Sequence, residues 1–185
     1  MFAAYEAIWS HQSQPLWVVT AASGGRRGGL IATFVAPVSI VRAMPRVLVS
    51  LSVRHHTTEL VRHSSAFALH LLGEAEIDWV WQFGLASGRG RDKVRGLATR
   101  TGSTGTPILT SAPAYLECRV ETSMETGDRT TFLAAVIDAA AAPDLNPLTL
   151  ARLRDLAPPE KLARMDELYE RDAAADAQLI ALFRA

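Results

Sequence analysis

The chain has 185 residues, and its 19 basic and 19 acidic side chains leave a formal net charge of zero at pH 7. This length fits one domain with a sizeable core, and the balanced charge disfavours a general nucleic-acid or membrane-surface binder. No run approaches the ~20 apolar residues of a membrane-spanning helix, and the first residues lack the pattern of a secretory signal. We therefore expect a soluble, cytoplasmic protein.

A short helix over residues 2–9 and a β-hairpin are the first predicted elements. Residues 16–20 and 30–35 are β-branched and apolar runs, and the segment between them is a turn that contains four glycines. Pro45 then introduces a third strand over residues 47–52, because the residue before a proline is restricted to an extended conformation. Polar groups from two strands and from the loop after the third should therefore meet at one end of a sheet.

The middle of the chain predicts two short helices that flank a fourth strand. Thr57 or Thr58 caps the first helix, residues 67–72 form the strand, and residues 74–83 place apolar side chains along one face of the second helix. Residues 87–96 form a loop with four cationic side chains and one carboxylate. A solvated basic loop is the simpler interpretation, and a phosphate contact is the alternative, because glycine N–H groups and cationic side chains bind anions.

Two long strands, residues 114–126 and 130–139, complete the predicted sheet and are joined by a tight turn at Gly127 and Asp128. The sequence therefore predicts about six strands at short spacing. Many short strands linked in this way suggest a small closed barrel, because closure removes the exposed edges that invite aggregation.

The cysteine and histidine side chains do not have the spacing of a metal site. Cys118, the only cysteine, lies in an alternating strand pattern where a small buried side chain is the simpler role. His55 and His56 are adjacent, so their side chains diverge in any regular structure, and no HExxH or CxxC spacing occurs. We therefore predict no metal site.

The tail from residue 146 onward differs in kind from the predicted barrel. Asn146 and Pro147 suit a helix cap and a first helical residue, and residues 158–160 start a second helix. Apolar side chains lie near one face of the second helix, but this apolar face is weak in the middle of the helix, over residues 172–176. The tail must therefore lie on the barrel or on a second subunit, and the sequence leaves both possibilities open.

With these elements placed, the chain resembles the flavin reductase family of the FMN-binding split barrel over roughly residues 16–138. The resemblance rests on the order and spacing of its motifs, which are WVVTA at 17–21, GLIATFV at 29–35, PRVLVSLS at 45–52, HSSAFALHLL at 63–72, QFG at 82–84, DKV at 92–94, GTPIL at 105–109, AYLECRV at 114–120 and TGDR at 126–129. It implies a mainly β fold with flanking helices: a six-stranded split β-barrel of the FMN-binding type over residues 1–145, and a C-terminal helical extension over residues 146–185.

The same resemblance implies a flavin site built from three segments. Its cofactor-binding positions match Leu30, Ile31, Ala32, Thr33, Phe34 and Val35, then Leu51, Ser52, Val53, Arg54, His56 and Thr57, and finally Gly84 and Lys93. Backbone amides and the hydroxyls of Thr33 or Ser52 would bond the pyrimidine edge and ribityl chain, while Arg54 and a helix N-terminus near Thr57 offer an anion site. The alternative is that these hydroxyl side chains merely suit strands and caps.

Arg129 departs from the family pattern, in which many members have a histidine at the matching position. An arginine cannot act as a general acid near neutral pH, because its pKa is above ~12. It can still bind a phosphate or stabilise an anionic reduced flavin. We therefore expect Arg129 to contact the flavin or the nicotinamide, and we assign no catalytic residue with certainty.

The activity implied by the resemblance is that of an NAD(P)H-dependent flavin reductase. Hydride would pass from NADH or NADPH to FMN, or to FAD, in a homodimer that supplies a monooxygenase or another electron acceptor. The alternative is an electron carrier that holds FMN without oxidising NAD(P)H, and a weaker one is a barrel that binds haem or another small ligand. NAD(P)H oxidation in the presence of free flavin distinguishes the reductase from the carrier.

Overall fold

A computed structural model of the protein describes residues 2–10, 12–85 and 88–184, so Ser87 of the predicted basic loop lies outside the described residues. The strands are β1 (Trp17–Ser23), β2 (Arg26–Ala32), β3 (Val35–Pro37), β4 (Arg46–Ser52), β5 (Ala66–Leu71), β6 (Thr99–Thr101), β7 (Pro107–Leu109), β8 (Ala114–Glu125) and β9 (Arg129–Ala141). The helices are α1 (Phe2–Ser10), α2 (His56–Ser64), α3 (Ile77–Gly84), α4 (Leu150–Leu156) and α5 (Pro159–Arg184).

The main sheet has seven antiparallel strands in the order β2-β1-β5-β8-β9-β4-β3. Its two edge strands, β2 and β3, are separated in the chain by Thr33 and Phe34 alone. Because so short a link spans only about 11 Å, the two edges must lie close together and the sheet must curl. This architecture confirms the predicted mainly β split barrel with flanking helices.

The strand predicted over residues 30–35 is in fact two strands, which is why the sheet has seven rather than about six. The chain leaves β2 after Ala32, and Val35 then pairs with Val49 of β4 at the opposite edge of the sheet. The break between β2 and β3 is therefore the point where the chain crosses from one edge of the curled sheet to the other.

The turn between β1 and β2 is shorter than the glycine-rich segment predicted. Ser23 pairs with Arg26, so only Gly24 and Gly25 form the turn, with φ angles of 56° and 73°. Both angles lie in the left-handed region that glycine adopts at no steric cost. Gly28 and Gly29, the other two glycines of the segment, lie within β2 instead.

Strand β1 is buried on both faces, and its alternating side chains divide the core into two clusters. Val19 and Ala21 belong to the inner cluster, which contains Phe67 and Phe132 from other strands. Val18 belongs to the outer cluster, where the sheet packs against α3 and α4. The outer cluster therefore places two helices along the side of the barrel that carries the candidate site.

The starts of two helices differ from the predicted ones. His55, not Thr57 or Thr58, is the N-cap residue of α2, and Thr58 instead donates its hydroxyl to the Ser52 carbonyl at 2.8 Å. Thr149, not Asn146, caps α4 by accepting the Arg152 N–H at 3.2 Å. The predicted α4 cap fails because the backbone before it pairs with the sheet, where it satisfies strand-edge groups instead.

Within the described ranges, no helix is long and apolar enough to cross a membrane. Helix α5 begins at Pro159, as the sequence predicts, and it runs for 26 residues. The division into a barrel over residues 1–145 and an extension over residues 146–185 stays a prediction.

Candidate functional site

A cavity of about 540 Å³ lies between β2, the start of α2, α3 and the tail helices α4 and α5. Its volume is in the range of small-molecule sites, which typically span ~300 to 1,000 Å³. Eight of the predicted cofactor-binding residues line it, namely Leu30, Ile31, Thr33, Arg54, His56, Thr57, Gly84 and Lys93. The fold therefore brings together residues from three predicted segments that are far apart in the sequence.

The other predicted positions are not among the described residues that line this cavity. They are Ala32, Phe34, Val35, Leu51, Ser52, Val53 and Arg129. Ala32 and Leu51 belong to the inner core cluster, as expected when successive side chains of a strand point to opposite faces. Phe34 lies in the link between β2 and β3, is 55% exposed, and has the guanidinium of Arg129 at 4.7 Å from its ring centre.

The start of α2 forms the polar wall of the cavity. No side chain of the described residues caps this helix. The positive end of its helix dipole therefore lies at the cavity. His55, the N-cap residue, buries its Nδ1 atom without a hydrogen-bond partner in the described part of the chain. An unpaired buried nitrogen beside an uncapped helix is a binding position for a polar or anionic ligand.

Burial lowers the pKa of His55, with a smaller opposing influence from the Asp172 carboxylate. Sequence reasoning assigned His56 to the site and passed over His55. His56 also lines the cavity, but its Nδ1 already lies 3.4 Å from Glu59, a carboxylate that pairs with Arg89 as well. The position of His55 directly before a helix start was the signal that could have identified it.

Lys93 is the buried cation of the site, with 4% of its surface exposed. Its Nζ donates a hydrogen bond to the Phe83 carbonyl at 2.7 Å, and desolvation, aided by Arg91, lowers its pKa to about 8. The predicted loop therefore has two roles. Arg91 and Arg95 are solvated, as the simpler interpretation expects, whereas Lys93 reaches the cavity, as the phosphate alternative requires.

The opposite wall comes from α5, which sequence reasoning could not assign. Met165, Leu168 and Tyr169 line the cavity, together with the polar residues Arg164, Arg171 and Asp172. These residues lie more than 100 positions from Arg54 in the chain, so no local pattern indicates their contact. The weak apolar face of the helix over residues 172–176 is the one sequence feature that indicates another role for this segment.

The sequence also raised two questions about the single cysteine and about a metal site. Cys118 is fully buried, as predicted, and burial raises the pKa of its thiol to about 12, so it is unreactive near neutral pH. In the described portion of the chain, no cluster of three or more histidine, cysteine, aspartate or glutamate side chains is arranged to hold a metal ion.

Three curated proteins are similar to this chain over most of its length. A ferric-chelate reductase (NAD(P)H) from Archaeoglobus fulgidus is 30% identical over 75% of this chain and 82% of its own. The reductase component of a 4-nitrophenol monooxygenase from Rhodococcus opacus is 33% identical over 82% of this chain and 78% of its own. A high molecular weight rubredoxin from Moorella thermoacetica is 30% identical over 74% of this chain, which spans only 59% of that protein.

A solved structure is also similar to this chain. An FMN-binding protein from Thermus thermophilus superimposes with a TM-score of 0.66 and 25% identity, over 72% of this chain and 73% of its own. The family model of the flavin reductase like domain matches residues 9–156, which include the barrel, α2, α3 and α4. The chain therefore belongs to the flavin reductase-like domain family.

Proposed function

We propose that the protein is an oxidoreductase that binds FMN in this cavity and transfers hydride to it from NADH or NADPH. The observation that carries the proposal is the convergence of Arg54, Lys93 and the unpaired His55 on the uncapped start of α2. Two cations, a ring nitrogen and the positive end of a helix dipole suit a phosphate. The names of the relatives from Archaeoglobus and Rhodococcus, a NAD(P)H reductase and a monooxygenase reductase component, support the same activity.

The residues present fit a flavin nucleotide. The unpaired Nδ1 of His55 needs a partner that the described protein does not provide, and a ribityl or phosphate oxygen is a suitable acceptor or donor. One side of the cavity is apolar and includes Leu16, Val80 and Phe83. A planar ring system would bind more tightly against such a wall, because burying apolar surface contributes roughly 25 cal/mol of favourable free energy per Å².

Each group has a defined task in this proposal. Arg54, Lys93 and the N-terminus of α2 hold the phosphate, and Thr33 with the β2 backbone holds the polar edge of the ring. When bound, the flavin supplies the hydride-accepting chemistry. The apolar residues of α3 and α5 exclude water from the cavity, and no side chain need donate a proton for hydride transfer.

Changing Arg54 to Ala should weaken FMN binding by about 10- to 100-fold, because a charge-assisted hydrogen bond contributes about 1.5 to 3 kcal/mol. Riboflavin, which lacks the phosphate, should lose less than about threefold. Titration of flavin fluorescence measures both affinities. Arg62→Ala is the matched control, because Arg62 lies at the far end of α2 and pairs with Glu125 at 2.6 Å. Equal losses for both flavins would show that Arg54 does not contact the phosphate.

The affinity for FMN should also fall as the pH rises through about 8, the pKa of Lys93. Below that pH the ammonium is charged and attracts phosphate, whereas above it the neutral amine does not. Between pH 7 and pH 9.5 we expect a loss of about tenfold for FMN, and no comparable loss for riboflavin. Lys93→Met should flatten the FMN profile. A wild-type profile that matches the Lys93→Met profile would contradict this role.

A second candidate, an FMN-holding electron carrier that does not oxidise NAD(P)H, is favoured by one observation. Arg129 lies between Phe34 and two carboxylates, at 3.3 Å from Asp128 and 3.8 Å from Asp176, where it has no acid role. The deciding experiment adds FMN, removes the excess and records the visible spectrum before and after anaerobic NADH or NADPH. Retained colour that bleaches supports the reductase, retained colour that persists supports the carrier, and no retained colour contradicts stable flavin binding.

The proposal extends to assembly and location. Val38, Ile40, Val41 and Met44, between β3 and β4, are exposed apolar side chains, and Ile40 is 99% exposed. Such a segment suits a contact with a second copy of the chain, so we propose a cytoplasmic homodimer. Reduced flavin would then serve a monooxygenase or another acceptor. Repeating the experiment with FAD tests whether FAD replaces FMN, and comparing the bleaching by NADH and by NADPH identifies the reductant.

A further inference from the structure

Carboxylates of α5 hold the arginine that we assign to phosphate binding. Arg54 Nη2 lies 3.2 Å from Asp172 Oδ1 and donates to the Asp172 carbonyl at 3.3 Å, while Arg54 Nε donates to Asp176 Oδ1 at 3.1 Å. The other carboxylate oxygen of Asp176 lies 3.8 Å from Arg129 Nη2. Asp176 therefore bridges both arginines.

The sequence of α5 explains how one helix supplies both carboxylates. Asp172 and Asp176 are separated by three alanines, and residues four apart lie on the same face of a helix. The intervening alanine side chains are too short to keep the helix away from the barrel. The segment where the apolar face of α5 is weak is therefore the segment that places two carboxylates at Arg54.

Helix α5 is held to the barrel without deep burial. None of its described residues is buried, although Met165 packs against the outer core cluster near one end. Near the other end, the backbone of Leu179 and the Cβ of Phe183 approach Gly127 in the turn between β8 and β9. The contacts with Arg54 and Arg129 lie between these two anchors. The side chains of Arg54 and Asp172 are about one-third exposed there, so rotation of these side chains can separate them.

We propose that Asp172 and Asp176 occupy the phosphate-binding groups when no ligand is present, and that the phosphate of a flavin nucleotide displaces them. This inference rests on the proposed function. A phosphate uses the same guanidinium donors as a carboxylate and carries more charge, so it competes for Arg54. Helix α5 thereby lowers the affinity of the site for phosphorylated flavins, because a phosphate binds only to the fraction of the protein in which Arg54 is free of the two aspartates. The affinity for riboflavin is unchanged, because riboflavin has no phosphate.

The test compares FMN and riboflavin affinities of the full chain with those of the Asp172→Asn/Asp176→Asn variant. We expect FMN to bind about five- to tenfold more tightly to the variant, because the two ion pairs no longer compete with the phosphate for Arg54. Riboflavin affinity should stay within about twofold. Asp166→Asn/Glu170→Gln is the matched control: it removes two charges at the same spacing from α5, but neither residue lines the cavity, and Asp166 pairs with Arg154 instead.

Hydrogen exchange gives a second readout that does not depend on turnover. In the wild-type protein, FMN should accelerate exchange in the middle of α5, and riboflavin should not. An unchanged ratio of FMN to riboflavin affinity in the variant, or weaker FMN binding, would overturn the inference while leaving the proposed function intact. Failure of both the wild type and the variant to bind either flavin would instead refute the proposed function, and the inference with it.

Discussion

Replacing Phe83 by Ala should lower the free energy of unfolding by about 3 to 5 kcal/mol, the usual cost of deleting a buried phenylalanine. Phe83 is 1% exposed and belongs to the outer core cluster, where it packs with Val80 and Leu153. It also lines the cavity, so the substitution leaves a void in the wall that we assign to the flavin ring. Urea denaturation, followed by circular dichroism, measures the loss.

The partner of this ring is Gly29, and the pair can be tested together. A Cβ atom at residue 29 would lie 2.4 Å and 2.6 Å from two ring carbons of Phe83, closer than any real contact allows. Gly29→Ala should therefore cost about 1 to 3 kcal/mol in the wild-type protein and much less in the Phe83→Ala background. Gly90→Ala is the control, because no atom of the described residues lies within 4 Å of its Cβ position. Additive costs would contradict this packing.

Acid should destabilise the protein through His70, a fully buried histidine of the central strand β5. Its Nδ1–H donates to the Val18 carbonyl at 3.2 Å, and its Nε2 accepts the Leu109 N–H at 3.0 Å. Only a neutral ring makes both bonds. Burial lowers the pKa of His70 from 6.5 to about 4, so the unfolded chain binds this proton more readily than the native state does. Stability is therefore fully present above pH 6.5 and is lost as the pH falls toward 4.

The expected loss is about 3 kcal/mol, because each unit of pKa difference corresponds to ~1.36 kcal/mol. Carboxylates also titrate in this range, so the informative quantity is the difference in free energy of unfolding between wild type and His70→Asn. That difference should shrink by about 3 kcal/mol between pH 7 and pH 4. His63→Asn, at an exposed histidine, should keep the wild-type slope. Parallel profiles for wild type and His70→Asn would contradict the assignment.

Local chemistry accounts for the parts of the fold that the sequence predicts well. The turn at Gly127 and the helix start at Pro159 each depend on a few neighbouring residues. A β-branched and apolar run identifies β1, and alternation identifies β8, for the same reason. The cap of α4 was assigned to Asn146 because that residue is a good cap locally, but the backbone of Leu148 bonds to Leu16 and Leu72 instead.

The candidate site likewise has residues that the sequence indicates and contacts that it does not. The family resemblance indicates Arg54 and Lys93 as cofactor-binding positions, and the fold brings both to one cavity. The motifs do not indicate that His55 leaves a buried nitrogen unpaired, or that Gly29 makes room for Phe83. Both properties depend on distances between segments, which a residue pattern does not contain.

The sequence by itself therefore determined most of the main-sheet strands, the family and two of the cationic residues that line the cavity, Arg54 and Lys93. Only the tertiary structure decided which of them share the cavity and that Asp172 and Asp176 reach Arg54 across more than 100 residues of chain. The physical reason is that turns, caps and alternation are set by interactions a few residues apart. The partner of a charge is set by how the tail helix packs against the completed barrel.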